Sequence, residues 1–358
     1  MKICIDIGHP GHVHFFKNFI WKMKEKGHDI LVTASVKEVT LDLLDAYHIE
    51  YTISCRRYSG FKQAYELVHR DIQLYKIAKK FKPDILMGIN NTIAAHVSKL
   101  TNSKSIIFTD TEHAKIANAI TFPFSDVICT PNCYRDSIGP KQIHYNGYHE
   151  IAYLHPNHFT PNPAVLTELD LTEDDPFIIV RFVSWEASHD VGQHGLCDKV
   201  GLVKALEQYG RVLITSERAL PPELQPYQIG VSPEKIHDLM YYATLLYGES
   251  ATMASECAVL GTHAIFCDFA GRGYTDEEER KYDLVYNFKL DESSQKKSIE
   301  MAVMLLQDPD LKEKGREKQK HLLKDKIDVT AFMVWFIENY PESVAKIKRN
   351  PDLQEQFK

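Results

Sequence analysis

The sequence predicts an α/β protein of two domains, each a parallel sheet covered on both faces by helices. Three observations carry this reading. Short Ile- and Val-rich runs alternate with longer segments of helical spacing, the order of elements that a parallel sheet requires. A proline-rich stretch from Gly147 to Pro176 interrupts the alternation, which resumes beyond it. The 358 residues suffice for two cores of ordinary size.

In the first half the strand candidates are Lys2–Ile7, Asp29–Thr33, Asp84–Ile89, Ser105–Thr109 and Asp126–Thr130. Each is short, apolar and closed by turn residues. Helical spacing falls between them, over Phe15–Lys26, Thr40–Tyr47, Lys62–Phe81 and Thr92–Leu100. In the second half, strands are expected near Phe177–Phe182, Arg211–Thr215, Leu245–Gly248 and Ala264–Cys267. A last helical segment, Val329–Tyr340, is apolar on one face through Phe332, Trp335 and Phe336. The expected domains are 1–160 and 161–326, with 327–358 returning to the first.

Composition narrows the function. A formal net charge of −7 argues against a general nucleic-acid or anionic-membrane surface. No apolar run approaches the roughly 18 residues that span a bilayer, so at most peripheral membrane contact is expected. The N-terminus carries Asp6 where a signal peptide would be apolar. The seven cysteines are scattered, and only Cys129 and Cys133 lie close together, which fits a reduced, cytoplasmic protein and no metal site.

The most telling stretch runs from Gly248 to Gly261 between two apolar runs, and reads as strand, small-residue turn, helix, strand. Backbone N–H groups at such a helix start suit an anion such as a diphosphate, with Ser250, Ala251 and Thr252 placed to hold it. Glu256, further along the helix, could accept two hydrogen bonds from a ribose diol. Gly261 is the expected C′ residue.

Other candidates lie at strand ends, the ligand edge of an open parallel sheet. The first loop contains Gly8, His9, Gly11, His12 and His14. A neutral imidazole at a helix start, here His12, could take a proton from an acceptor hydroxyl; the competing reading is that these histidines cap and pack a tight turn. Asp110 and Glu112 follow another strand as base or sugar ligand, or as an N-cap pair. Asn90 and Asn91 are either a polar edge or a helix cap. In the second half, Arg181, Ser184 and Ser216 could meet phosphate, with Glu217 and Arg218 on the same edge. Arg272, between two glycines, is either a leaving-group clamp or a solvated loop residue. No Asp-x-Asp motif stands at a strand end to hold a divalent ion, so no metal or cofactor is expected beyond the donor substrate.

These motifs carry a resemblance. The stretches Ile5–Phe16, Asp110–Ala114, Thr121–Phe124, Tyr153–Pro156 and Thr252–Gly261 look like those of one GT-B-like family of bacteria and archaea, over nearly the whole chain. GT-B architecture is two Rossmann-like domains with parallel sheets facing across a cleft. Related branches are the lipid II N-acetylglucosaminyltransferase, whose Gly-rich first loop resembles this one with His12 at the loop histidine, and the non-hydrolysing UDP-N-acetylglucosamine 2-epimerases. Two epimerase motifs are altered. Asn90-Asn91-Thr92 stands where that family has Gly-Asp-Thr, and Arg181-Phe-Val-Ser-Trp185 lacks the histidine of its Thr-x-His-Arg motif.

The resemblance therefore implies a metal-independent glycosyltransferase with a nucleotide-sugar donor, a UDP-sugar, acting in cell-envelope or polysaccharide synthesis. Alternatives are an epimerase or hydrolase of different catalytic pattern and a non-catalytic nucleotide-sugar-binding protein. The acceptor is unknown, and homo-oligomerisation stays open.

Overall fold

The computed structural model describes residues 1–36, 38–56, 63–183, 195–217 and 219–358. The chain divides into two compact units, Met1–Tyr153 with Lys326–Lys358, and Leu154–Asp325. The division thus falls a few residues before the 160/161 boundary read from the sequence.

Among the described residues the first unit holds seven strands: β1 (Lys2–Ile7), β2 (Asp29–Val36), β3 (Thr52–Arg56), β4 (Ile85–Ile89), β5 (Lys104–Phe108), β6 (Val127–Pro131) and β7 (Gln142–Tyr145). Their order in the sheet is β3-β2-β1-β4-β5-β6-β7, and every pairing is parallel. The second unit holds β8 (Phe177–Phe182), β9 (Arg211–Ser216), β10 (Leu245–Gly248), β11 (His263–Cys267) and β12 (Val285–Phe288). Their order is β12-β11-β10-β8-β9, again all parallel. The fold class is therefore α/β, as the alternation predicts. Helices cover the sheets, so the central strands are buried along their length, β6 and β11 completely.

Three strands escape a reading by apolar runs: β3, β7 and β12. All three are sheet edges. An edge strand has one neighbour only and keeps polar residues, such as Gln142 and His144 in β7 or Asn287 in β12.

Strand order also locates where a ligand can sit. In an open parallel sheet the crevice forms at the carboxyl ends where the order reverses. In the first sheet that point lies between β1 and β4, and in the second between β8 and β10.

The C-terminal segment belongs to the first unit. Ile327 donates its N–H to the Asn146 carbonyl at 3.0 Å, and Thr330 Oγ1 donates to the Ala152 carbonyl at 2.7 Å. In the helix Val329–Glu338, Phe332 is fully buried and stacks with Tyr145 and Phe336. Gly147 permits this approach: a Cβ there would stand 2.4 Å from Val329 Cγ2.

Candidate functional site

In the first unit, the segment read as a long Gly-rich loop is mostly helix. The helix Pro10–Glu25 starts immediately after Gly8 and His9. Proline at N1 presets φ and lacks an N–H that would otherwise be unpaired. His9 is the N-cap, its Nδ1 accepting the Gly11 N–H at 3.1 Å. Gly11 and His12 are thus first-turn residues at the β1 side of the reversal point. His12 Nδ1 accepts the Gly8 N–H at 3.3 Å. That bond fits the His12 tautomer with its proton on Nε2. His14 packs instead, stacked on Tyr153 with its Nδ1 3.2 Å from the Tyr47 hydroxyl.

Across the same reversal point, Asn91 caps the helix Thr92–Leu100 by accepting the Ala94 N–H. Its amide donates to Asp6 Oδ2 at 2.8 Å and to the Asp6 carbonyl at 3.0 Å. Asp6 is buried and also receives Thr33 Oγ1 at 2.7 Å and Arg70 Nη2 at 3.4 Å. Asn91 is therefore built into the scaffold between β1 and β4.

Asp110 lies just past β5. Its Oδ2 is 3.0 Å from His149 Nδ1, and its Oδ1 accepts the Thr111 hydroxyl at 2.8 Å. His149 is 7% exposed, packed against Phe15 and stacked over Tyr145. Its Nε2 is buried and has no hydrogen-bond partner among the described residues. The tautomer that donates from Nδ1 to Asp110 leaves only a lone pair unmatched at Nε2, which costs less than an unmatched N–H there. The Asp110 carboxylate keeps 13% of its surface open. Glu112 turns to another partner, accepting the Arg135 N–H at 3.2 Å, and burial raises its pKa above the usual carboxylate range.

In the second unit, the helix Ala251–Leu260 begins at the β8/β10 reversal point. Ser250 is its N-cap and accepts the Met253 N–H at 3.3 Å; Ala251 and Thr252 form its first turn. Gly261 ends it with φ of 80°, the left-handed C′ position that favours glycine. Gly248 lies tight against β8, since a Cβ there would meet the Arg181 carbonyl oxygen at 2.6 Å. Glu249 braces the neighbouring loops by accepting the N–H groups of Val183 at 2.9 Å and Leu196 at 2.7 Å.

Glu256 lies in the same helix, 4% exposed, with Oε1 2.8 Å from His237 Nε2. Arg181, at the end of β8, pairs with Glu217 at 2.5 Å, and Ser216 ends β9. Arg272 occupies the N-cap position of the helix Gly273–Tyr282 without a side-chain capping bond, and is tied by Nη1 to Asp268 Oδ2 at 2.5 Å and to the Gly271 carbonyl at 2.8 Å. It is a held guanidinium and not a loose loop residue. Ser184, Trp185 and Arg218 lie outside the described residues.

The sequence reading missed His149, His237 and Glu249. His149 follows β7, the edge strand that the apolar pattern hides; with β7 recognised, it is a strand-end histidine like the others. His237 and Glu249 act through long-range contacts that no local pattern marks.

A family model described as "Protein of unknown function (DUF354)" matches residues 1–339. The chain belongs to the DUF354 family. An uncharacterized protein of Methanocaldococcus jannaschii is 22% identical over 286 residues, 75% of this chain and 82% of its own length. Among solved structures, the UDP-GlcNAc 2-epimerase from Neisseria meningitidis bound to UDP-GlcNAc is similar with a TM-score of 0.61 and 13% identity. The match covers 88% of this chain and 94% of that one. The glycosyltransferase SsfS6 of Streptomyces sp. SF2575 has a TM-score of 0.60 and 12% identity, covering 95% of this chain and 100% of its own. At such identities the likeness shows the fold alone: this DUF354 member has the GT-B fold.

Proposed function

We propose that this protein is a metal-independent glycosyltransferase that takes a sugar from a nucleoside-diphosphate donor, a UDP-sugar, for a cell-envelope or polysaccharide acceptor. One observation carries the reading. The reversal point of the second sheet coincides with the start of the helix Ala251–Leu260, which is capped by Ser250, opens with the small residues Ala251 and Thr252, and also bears Glu256. Backbone N–H groups of Ala251 and Thr252 take the diphosphate, where the helix dipole favours negative charge. Glu256, held by His237, takes the ribose hydroxyls. Arg181 and Arg272, each fixed by a carboxylate, supply positive charge as the diphosphate departs.

On the first unit, Asp110 is the proton acceptor and His149 its positioning partner. The acceptor oxygen bonds to the anomeric carbon, its proton passes to Asp110, and the bond from that carbon to the diphosphate breaks with the electron pair leaving on UDP. His12, with Nδ1 engaged by Gly8, serves as a hydrogen-bond donor in this scheme. Glu112 binds acceptor hydroxyls.

Epimerisation is the second reading in the sequence. Asn91 argues against it, because its side chain caps a helix and anchors Asp6 where the epimerases carry a carboxylate. Calorimetric titration of UDP into wild type and Glu256→Ala tests the donor site. Loss of the charged partner is expected to weaken binding by about ten- to a hundredfold. Equal affinity in the two proteins removes Glu256 from the site.

A further inference from the structure

In the first unit, the helices leading from β3 to β4, β4 to β5 and β5 to β6 are Gln63–Phe81, Thr92–Leu100 and Lys115–Thr121. All three connections move the same way across the sheet, so right-handed crossovers place them on one face. His96, on the middle helix, joins the layer. Its Nδ1 is 3.0 Å from Asp71 Oδ2 on the first helix, and its Nε2 is 3.0 Å from the Ile120 carbonyl on the third. Phe124 packs edge-on against the same ring.

The outer surface of this layer is apolar where a solvated helix face is polar. Val68 and Ile72 stand four residues apart on the first helix, and Ile116 and Ile120 do so on the third, so each pair forms one stripe. All four are exposed, as are Leu100 and Phe124, and Ile116 reaches 80%. Ile72 follows Asp71, and Phe124 rests on His96, so the two stripes flank the His96 contacts. These six are half of the large apolar side chains that are exposed among the described residues. Their concentration on one face marks an interaction surface.

The same helices are basic, in a chain of net charge −7. They carry Arg70 and five lysines against Glu66 and Asp71. Arg70 turns inward to Asp6, and Asp71 pairs with His96. Lys76, Lys79, Lys80, Lys99 and Lys115 are all exposed. Lys76 continues the Val68–Ile72 stripe, Lys99 adjoins Leu100, and Lys115 adjoins Ile116. Lys99 shares Asp126 with Lys104, which leaves that pair with one positive charge in excess. Each of the three helices thus presents apolar and cationic side chains together.

We propose that this face seats the protein on an anionic lipid surface. The apolar side chains enter the boundary between headgroups and acyl chains, and the lysines reach the anionic headgroups. Among the described residues no helix is long and apolar enough to cross a membrane, so the contact is with the surface. Charge separates this occupant from a second copy of the chain. A two-fold pairing of the face with itself would set lysines against lysines, whereas an anionic surface matches all of them. The proposal goes beyond the transferase reading and does not depend on it.

The test is flotation of the full chain with vesicles of phosphatidylcholine alone, or of equal parts phosphatidylcholine and phosphatidylglycerol. The protein should float with the anionic vesicles, at least about tenfold more tightly than with the neutral ones, and added salt should weaken it. Ile116→Glu with Ile120→Glu, and separately Lys76→Gln with Lys79→Gln and Lys80→Gln, should each weaken flotation by about tenfold or more. These positions are exposed, so the fold should survive, which thermal melting checks. Met304→Glu, at an exposed apolar position of the second unit, should float like wild type. Absence of flotation with anionic vesicles, equal flotation with neutral ones, or wild-type flotation of either multiple variant overturns the proposal. So does a dimer in solution that Ile116→Glu with Ile120→Glu dissolves, because it gives the face to a second copy.

Discussion

The Nδ1 of His149 lies 3.0 Å from Oδ2 of Asp110, and the far nitrogen of the same ring is buried without a partner among the described residues. A ring held in this way is matched best by the tautomer whose Nδ1 proton is directed at the carboxylate. That contact orients the Asp110 carboxylate, the group proposed above as proton acceptor.

Asp110→Asn should lower turnover by about 10²- to 10⁴-fold, the usual worth of a positioned acid or base. His149→Phe should lower kcat less, with the pH profile of kcat displaced, and His149→Gln should recover part of the loss because its amide can still donate. UDP affinity should stay at the wild-type value in all three. Steady-state kinetics beside UDP calorimetry checks this; a His149→Phe enzyme with unaltered kcat and pH profile would separate the ring from the chemistry.

His237→Phe removes the 2.8 Å partner of buried Glu256. Leaving that carboxylate without this hydrogen bond should cost about 1–3 kcal/mol of stability. UDP should bind more weakly, because Glu256 loses its fixed orientation. Chemical denaturation with and without UDP measures both effects.

The acid limb of stability should report on His263. Burial, followed by the nearby Lys318 ammonium, lowers its pKa to about 4. Lys318 Nζ stands 3.1 Å from His263 Nε2, which fits a neutral ring accepting there. A base whose folded pKa is depressed favours folding above its unfolded pKa. That stability is lost as pH falls from about 6.5 toward 4. The loss should approach about 3 kcal/mol. His263→Phe, which retains a ring beside Tyr286, should flatten the dependence in this window. Denaturation curves across the window are the check, and identical slopes in the two proteins would refute the assignment.

Phe332→Ala should destabilise the first unit by about 3–5 kcal/mol, the cost of emptying a buried aromatic site. Donor binding, assigned to the second unit, should be unaffected. Hydrogen exchange resolved by residue distinguishes local loosening near Tyr145 from a global effect.

The central strands and the helix after β10 were legible because burial on both faces writes continuous apolar runs, and because Ser250 and Gly261 punctuate that helix. Three of the four edge strands were not: β7, for one, carries Gln142 and His144 and hides the position of His149, whereas the edge strand β9 keeps the apolar run Val212–Ile214 and was legible. The helix start at Pro10 was masked by two glycines and three histidines that look like a loop; only the His9 cap reveals it. Pairings such as Asp110 with His149 and Glu256 with His237 join distant segments. They follow from the sheet order, which local sequence patterns do not contain.

The most direct test of the transferase account is to incubate the protein with UDP-sugars, with and without a panel of alcohol and glycoside acceptors, and to resolve the products. The account predicts free UDP together with a glycosylated acceptor, formed only when both substrates are present and nearly abolished in Asp110→Asn. A new UDP-sugar isomer formed without acceptor would contradict it.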